Sequence, residues 1–393
     1  MSDALCARLR LQEVPSGTAL RFSSESIDLD PVIVEILSRL PAKSLLRFRC
    51  VCKAWRALIS DPYFIRKHLS CINTRVSASY SLLLREQVFR SIEHEAVLKH
   101  LSQTSDGPPL PFRRPRFPVL DPTFDITDIE IVGSCNGLIC LMLDYEAKES
   151  YTFMLWNPCT GESNLLPQPP LQSSSSFFWG FGYDSTIDDY KVVLGSCISG
   201  HEVVVVFRLK MGSWRKVERL ERCFDVRWVG CLVNESLYWV FKEVKECRLI
   251  GQKIVSFDLA EEKFHEIPFP YPLKQRLIAE VENLHICLTQ YFQTNCCQPG
   301  CNFKMWVVSD YEVKESGTEV IKIPVLDAEN MYMTCISENG EGLMRVADDG
   351  SLALYNPKEK AFRIVMNGDH WYETATYLET LVSPSTGSIG ASV

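Results

Sequence analysis

The sequence predicts a two-part α+β protein in which a small unit of three N-terminal helices precedes a larger all-β, propeller-like domain. A helical apolar period is confined to residues 27–70. Short strand-like runs with turn signals between them begin after about residue 128. Those runs recur with a period near 50 residues, which is typical of a β-propeller. A generic all-β sandwich remains the alternative for this second part.

The first helix is expected to begin at Asp30, because an aspartate side chain caps free N–H groups and Pro31 is tolerated at the first helical position. Pro41 ends this helix, since proline disfavours helical backbone at the residue before it. Between the two prolines, apolar residues recur at helical spacing and form one stripe: Ile33, Ile36, Leu37 and Leu40.

The second and third helices carry similar signals. Ser44 is expected to cap the second helix, and Asp61 with Pro62 is expected to start the third, which runs toward His68 and Leu69. One side of the second helix is apolar and consists of Leu45, Phe48, Cys52, Trp55 and Ile59.

The helical unit is small and basic, and both properties point to a partner. About 40 residues rarely fold without help. The segment from Leu29 to Leu69 contains eight basic residues and three acidic ones. The sequence therefore predicts docking onto an acidic partner, with an ordinary helical hairpin that has a solvated basic face as the open alternative. The whole chain has a net charge of −8, so the rest is acidic, which argues against a nucleic-acid binder.

The remaining organisation follows from composition. We predict a flexible tail over 1–26, a connecting segment over 71–127, the propeller over 128–385 and a flexible end over 386–393. The connecting segment holds an early strand pair and a proline-rich stretch that is either a free linker or an irregular crossing of the next domain. Because a propeller must seal its first and last units, we expect Tyr80–Arg85 and Tyr377–Val382 to supply strands near the closure.

One aromatic position recurs in every repeat of the β region. The spacing between successive members is 49 to 51 residues, and the members are Trp156, Phe207, Phe257, Trp306 and Tyr355. For the tryptophans and the tyrosine at a fixed place in the units, core packing between blades is favoured over a binding groove, and these residues are Trp156, Trp179, Trp239, Trp306 and Tyr355.

No constellation of residues predicts catalysis, a metal or a cofactor. The thiols of Cys296, Cys297 and Cys301 cluster at a turn, but no second cysteine or histidine pair follows at ligand spacing. The acidic pairs Asp188-Asp189 and Asp348-Asp349 adjoin turns and are expected to be solvated. Nucleophile-elbow, zinc-protease and phosphate-loop motifs are also missing, so we expect a protein that is not an enzyme.

The helical segments EILSRLP (35–41), KSLLRFRCVCKAWRALI (43–59) and DPYF (61–64) resemble the F-box of plant F-box proteins. This resemblance implies docking onto the Skp-type adaptor of a cullin-based (SCF) ubiquitin ligase. The adaptor-binding residues it implies are Ile36, Leu37, Leu40, Pro41, Leu45, Val51, Cys52 and Trp55. The family usually opens with Leu-Pro where this chain has Asp28-Leu29, so weaker adaptor binding is expected.

The β region is similar to the kelch-like F-box-associated domain of plant proteins, including the S-locus F-box branch. The similarity rests on GSCNGLICL (133–141), LWNP (155–158), WGFGYDSTIDDYKVV (179–193) and ETLVSP (379–384). It implies a receptor that captures a protein substrate for ubiquitylation and proteasomal degradation, while chemistry takes place elsewhere. The alternative is a protein-interaction propeller with a degenerate F-box and no ligase role.

Candidate substrate-binding residues come from the loops between predicted strands, where propellers vary. The loops are Gln172–Phe178, Ser196–His201, Lys242–Gln252 and Gln290–Asn302, and the candidates within them are Phe177, Phe178, His201 and Tyr291. Phe177 and Phe178 are either exposed anchors or the start of a strand, and the strand is favoured. The absence of an apolar leader and of any bilayer-length apolar run, together with 16 cysteines read as reduced thiols, predicts the cytoplasm or nucleus and no membrane partner.

Overall fold

The computed structural model describes most of the chain from Pro31 to Ser385. The described residues are 31–74, 80–85, 88–101, 111–119, 126–145, 150–171, 177–198, 201–220, 228–245, 248–267, 283–287, 291–295, 302–307, 318–324, 331–336, 342–346, 351–356, 358–359, 361–366 and 373–385. Asp28, Leu29, Asp30, the cysteines at 296, 297 and 301, and the Asp348-Asp349 pair lie outside them.

Four helices, not three, form the N-terminal unit: α1 (Pro31–Ser38), α2 (Ala42–Phe48), α3 (Lys53–Ile59) and α4 (Pro62–Asn73). The predicted second helix is divided because Cys52 has extended backbone and caps α3, its Sγ accepting from the Trp55 N–H at 3.4 Å. The prediction for Ser44 was wrong, since Ser44 lies inside α2 and Pro41 occupies the capping position. Asp61 caps α4 as predicted, accepting from Tyr63 N at 2.8 Å.

Twenty-four strands and one further helix make up the rest of the described chain. The strands are β1 (Tyr80–Arg85), β2 (Phe89–Glu93), β3 (Ile126–Cys135), β4 (Leu138–Tyr145), β5 (Ser150–Trp156), β6 (Ser163–Leu165), β7 (Phe177–Asp184), β8 (Asp189–Ile198), β9 (His201–Arg208), β10 (Ser213–Leu220), β11 (Trp228–Val229), β12 (Cys231–Val233), β13 (Ser236–Lys245), β14 (Arg248–Asp258), β15 (Lys263–Ile267), β16 (Asn283–Cys287), β17 (Tyr291–Asn295), β18 (Asn302–Val307), β19 (Thr318–Pro324), β20 (Met331–Ile336), β21 (Gly342–Val346), β22 (Leu352–Asn356), β23 (Ala361–Met366) and β24 (Glu373–Leu378). Helix α5 (His94–Leu101) follows β2.

The described strands form six sheets. Sheets 1 to 5 each contain four consecutive antiparallel strands: β3–β6, β7–β10, β12–β15, β16–β19 and β20–β23. The short strand β11 adds to sheet 2 in parallel beside β7. A three-stranded closing sheet has the order β2-β1-β24. Four strands in each of these sheets agree with the propeller that the 50-residue period predicts, and not with the alternative sandwich.

The ring is sealed by pairing the two ends of the β region. Strand β1 pairs antiparallel with β24, with Tyr80 opposite Leu378 and Arg85 opposite Glu373. The prediction that Tyr80–Arg85 takes part in the closure is confirmed. Its partner strand ends at Leu378, however, so most of the predicted Tyr377–Val382 segment continues beyond the sheet. Strand β24 also contacts β3 of sheet 1 and β20 of sheet 5, which joins the last sheet to the first.

The described part of the proline-rich stretch crosses the propeller surface and is not a free linker. Arg113 exchanges two backbone hydrogen bonds with Ser91 on the outer edge of the closing sheet, at 2.7 and 2.8 Å. Phe117 packs edge-to-face on Trp156 of sheet 1, with 5.1 Å between ring centroids. The Trp156 indole N–H donates to the Arg116 carbonyl at 3.1 Å. The crossing therefore covers a sheet edge that would otherwise offer unpaired backbone groups.

The aromatic repeat positions lie in the core. Trp156, Phe207, Phe257 and Tyr355 are all buried, as are Trp179 and Trp239. The packing prediction is confirmed for Trp156, Trp179, Trp239 and Tyr355, while the Trp306 side chain lies outside the described part. The prediction for Asp189 was wrong, because this residue is buried. Its carboxylate accepts from Tyr190 N at 2.8 Å and Lys210 N at 3.0 Å, and so holds the turn between sheet strands.

Candidate functional site

Several large apolar side chains of the helical unit face solvent. Val32 and Ile36 lie one turn apart on α1, Val51 lies in the turn between α2 and α3, and Tyr63 lies at the start of α4, each at least half exposed. We call these four residues the exposed apolar set. Apolar side chains gain free energy by being covered, so these positions favour contact with another protein.

The eight predicted adaptor-binding residues fall into three groups. Ile36, Pro41 and Val51 are exposed, and Leu40, Cys52 and Trp55 are half-buried. Leu37 and Leu45 are buried in the core of the chain itself, so in this structure they shape the unit and offer no surface to a partner. The exposed fractions of Val32 and Tyr63 show two further candidates. Val32 stands four residues before Ile36, a spacing that the sequence displayed but the predicted stripe left out.

The half-buried residues are positioned by contacts within the unit. Trp55 packs edge-to-face on Phe48, with centroids 5.4 Å apart. The buried His68 places its Nε2 2.9 Å from the Leu40 carbonyl oxygen. Since a carbonyl oxygen only accepts, Nε2 carries the proton, and His68 ties α4 to the turn that ends α1. The end of α1 is thereby held at a fixed angle to α4.

The basic residues of the unit serve different purposes, so they do not form the one solvated basic face of the alternative interpretation. Arg39 and Lys67 both bind Glu35, each at 2.6 Å, and the hydrogen bonds from Lys67 and Arg39 hold the pKa of Glu35 below its usual value. Lys43 pairs with Glu379, and Arg66 lies 3.7 Å from Asp188, so both face the propeller. The exposed basic residues of α2 and α3 are Arg47, Lys53 and Arg56.

The two ends of the propeller strands define two faces. We call the face that contacts the helical unit the near face; it includes the turn at Asp188 and the segment at Glu379. Antiparallel strands alternate in direction, so the opposite strand ends form the far face. In sheets 2 and 3 the far face includes the start of β7, the ends of β8 and β13, and the starts of β9 and β14. Three of the four predicted substrate loops include these strand ends.

The predicted substrate-binding residues are not assembled into a site. Phe177 and Phe178 are buried in β7, Phe177 against Tyr151 with 5.4 Å between centroids and Phe178 against Trp239 with 5.1 Å. They begin a strand, as favoured, and they are not exposed anchors because neighbouring blades cover both rings. His201 begins β9 and Tyr291 begins β17, but their side chains lie outside the described part. Substrate binding by these two residues stays a prediction.

Within the described ranges, no group of three or more His, Cys, Asp or Glu side chains is arranged to hold a metal ion. Among the helices that the structure describes, none combines the length and the apolar character needed to cross a bilayer.

The fold and the exposed apolar set define a β-propeller protein that carries a helical docking unit. The family model of the F-box associated beta propeller domain matches residues 117–378, and that of the F-box domain matches residues 28–67. The chain therefore belongs to the F-box proteins with an F-box-associated propeller. Such proteins are typically substrate receptors of SCF ligases, generally without catalytic activity, and an F-box implies binding to a Skp-type adaptor.

Similar proteins come from Arabidopsis thaliana. F-box/kelch-repeat protein At3g23880 is 28% identical over 388 residues, covering 93% of this chain and 97% of its own length. F-box protein CPR1 is 29% identical over 326 residues, covering 74% of this chain and 72% of its own. Among solved structures, TolB from Acinetobacter baumannii aligns with 80% of this chain and 69% of its own at a TM-score of 0.39 and 11% identity, too low to support any inference.

Proposed function

We propose that this chain is the substrate receptor of an SCF-type ubiquitin ligase. In this proposal the F-box docks onto a Skp-type adaptor, and through it a cullin scaffold, while the propeller captures a protein to be ubiquitylated and degraded by the proteasome. Catalysis belongs to the ubiquitin-conjugating enzyme, and this chain contributes proximity between substrate lysine and activated ubiquitin.

The exposed apolar set is the observation that best supports adaptor docking. A helical unit covered on one side by the propeller would gain nothing from leaving Ile36 and Val51 in solvent unless another protein covers them. The far face supports the second half of the proposal, because it lies opposite the F-box, where a bound protein and the adaptor would not collide.

A calorimetric titration with a Skp-type adaptor tests the docking step. Burying one aliphatic side chain is worth about 1.5–3 kcal/mol, so Ile36→Asp should weaken binding roughly tenfold to a hundredfold. Ile364→Asp is the matched control, because Ile364 on the propeller is 58% exposed and Ile36 is 57% exposed. Equal affinity of both variants and wild type would rule out docking through this surface.

The altered opening of the F-box gives a second test. Leu40→Ala with Pro41→Ala should abolish adaptor binding, while Asp28→Leu with Leu29→Pro should strengthen it. If wild type fails to bind while the repaired form binds, the chain is an interaction propeller with a degenerate F-box, which is the alternative function.

The remaining parts of the proposal are an unidentified protein substrate, no intrinsic catalysis and a location in the cytoplasm or nucleus. Affinity purification with and without a proteasome inhibitor would find proteins that are captured and then degraded. A ubiquitin thioester formed on this chain would contradict the receptor role. Imaging of a tagged full-length chain would test the location.

A further inference from the structure

The chain that follows β24 lies between the propeller and the F-box. We call residues 379–385 the strap. Two of its side chains, Leu381 and Val382, are buried in one continuous apolar cluster. That cluster includes Leu37 and Leu45 of the helices as well as Leu155 of sheet 1, so the strap shares its core with both domains.

The buried side chain of Asn157 binds the strap backbone at two carbonyl groups. Asn157, in the turn after β5, donates through Nδ2 to the carbonyl oxygens of Thr380 at 3.1 Å and Val382 at 2.7 Å. Its Oδ1 accepts from the backbone N–H groups of Cys159 at 2.8 Å and Thr160 at 3.3 Å. Both ends of this amide are therefore used, one for its own turn and one for the strap.

Turns at the equivalent place in sheets 3 and 5 show which of these two roles the turn itself requires. In sheet 3, Asp258 Oδ1 accepts from the two N–H groups that follow it in the turn, at 2.8 and 2.7 Å. In sheet 5, Asn356 Oδ1 makes the same pair of bonds at 2.9 and 3.4 Å. Since an aspartate makes this turn equally well, the turn needs only an acceptor. The amide N–H₂ of Asn157 meets a separate requirement, which is the strap.

Further contacts reach the strap from the propeller and from the helices. Thr380 Oγ1 donates to the Asn136 carbonyl at 2.9 Å, and Asn164 Nδ2 donates to the Pro384 carbonyl at 3.1 Å. Glu379 pairs with Lys43 of α2 and accepts from Ser81 Oγ of β1 at 3.1 Å. The strap is therefore bonded to the propeller on one side and to the helices on the other.

We propose that the strap couples the F-box and the propeller into one rigid body, and that Asn157 is the residue that positions the strap. Three segments that carry the family resemblance, 133–141, 155–158 and 379–384, thus meet at this joint. The consequence for the ligase rests on the proposed function: a rigid joint would fix the distance between the captured protein and the activated ubiquitin.

Hydrogen exchange of the full-length chain, measured by mass spectrometry without adaptor, tests the coupling. Asn157→Asp keeps the turn acceptor but places a carboxylate against two strap carbonyls. We expect exchange at least about tenfold faster in peptides covering 379–385 and 42–48. Asn356→Asp is the matched control and should leave both peptides unchanged.

Two outcomes would overturn the proposal. One is exchange within twofold of wild type in both peptides of Asn157→Asp. The other is faster exchange in the strap alone, since the helices would then not depend on it.

A milder variant decides the question if Asn157→Asp does not fold. Lys43→Met removes the ion pair to Glu379 and keeps the aliphatic stem; it should speed exchange of the strap severalfold. The control, Lys99→Met, removes an exposed Lys–Glu pair on α5 and should change neither peptide. An unchanged strap in Lys43→Met would contradict coupling through this contact. Because no adaptor is present, failure here is distinct from failure of adaptor binding.

Discussion

Replacing Lys191 should destabilise the propeller more than replacing any exposed lysine. Lys191 lies on β8 and has no exposed side-chain surface. Its Nζ donates to Asp184 Oδ2 at 2.7 Å, to Glu262 Oε1 at 2.8 Å and to the Leu259 carbonyl. Asp184 ends β7 of sheet 2, while Glu262 and Leu259 lie in the turn after β14 of sheet 3. One ammonium group therefore joins two blades.

The pKa directions agree with this arrangement. Burial lowers the pKa of Lys191, and the hydrogen bond to Asp184 opposes that shift. Desolvation by burial would raise the pKa of Asp184, but hydrogen bonds from Lys191 and Thr186 outweigh it, so the pKa lies below its ordinary value. The carboxylate and the ammonium therefore depend on each other for their charged forms.

Lys191→Met keeps the length of the side chain and removes the charge. Removing one partner of a buried pair costs about 3–5 kcal/mol, because the other charge is left without compensation. The lower end of this range applies here, since Glu262 keeps Arg208 at 2.7 Å and also Arg215, and Asp184 keeps the Thr186 hydroxyl at 2.6 Å. About 3 kcal/mol corresponds to a fall in Tm of roughly 6–12 °C for a domain of this size.

Urea denaturation followed by tryptophan fluorescence would measure the free energy of unfolding. Lys263→Met is the control, because Lys263 is 63% exposed and its pair with Glu261, at 3.3 Å, should contribute no more than about 1 kcal/mol. Adding Asp184→Asn to Lys191→Met should recover part of the loss, because the Asp184 carboxylate otherwise stays buried without its cation. A loss below about 1 kcal/mol for Lys191→Met would refute this account of the interblade contact.

Two further predictions concern the closure of the ring. Burial raises the pKa of Glu373 from 4.5 to about 7, so between those pH values the unfolded chain loses a proton that the folded chain keeps. The free energy of unfolding should therefore fall by roughly 3 kcal/mol as pH rises through this window. Glu373→Gln should not show that fall. If the urea midpoints of wild type and Glu373→Gln change in parallel from about pH 4 to about pH 8, this prediction is contradicted. Gly137→Ala should cost about 3 kcal/mol or more, because Gly137 has φ +85° and an added Cβ would collide with Thr380 Oγ1 of the strap and lie 2.6 Å from the Leu378 carbonyl oxygen. Gly212→Ala is its control, because Gly212 has φ +61° and an added Cβ would meet no atom within 4 Å, so this change should cost about 1–2 kcal/mol. Equal falls in Tm for the two variants would show that the strap contact is unimportant.

The sequence alone was sufficient for features that depend on neighbouring residues. The cap at Asp61, the end of α1 before Pro41 and the repeat of strands with a period near 50 residues all follow from local periodicity and turn chemistry. The burial of Trp156 and Tyr355 followed from their fixed place in the repeat. Division of the second helix at Cys52 was missed, because a thiol is not among the usual capping groups and the apolar spacing continues through the break.

Only the tertiary structure decided which distant residues meet. Asp189 looked like a solvated turn residue because its hydrogen bond from the Lys210 N–H joins residues that are 21 apart in the chain, and sequence spacing does not reveal it. Asn157 and Asn356 have the same turn signature, yet only Asn157 of these two is shown holding the strap, 223 residues away along the chain at Thr380. Such contacts depend on how the ring closes and where the F-box rests on it. Local propensity does not predict either arrangement, because each is set by packing between segments that are far apart in the chain.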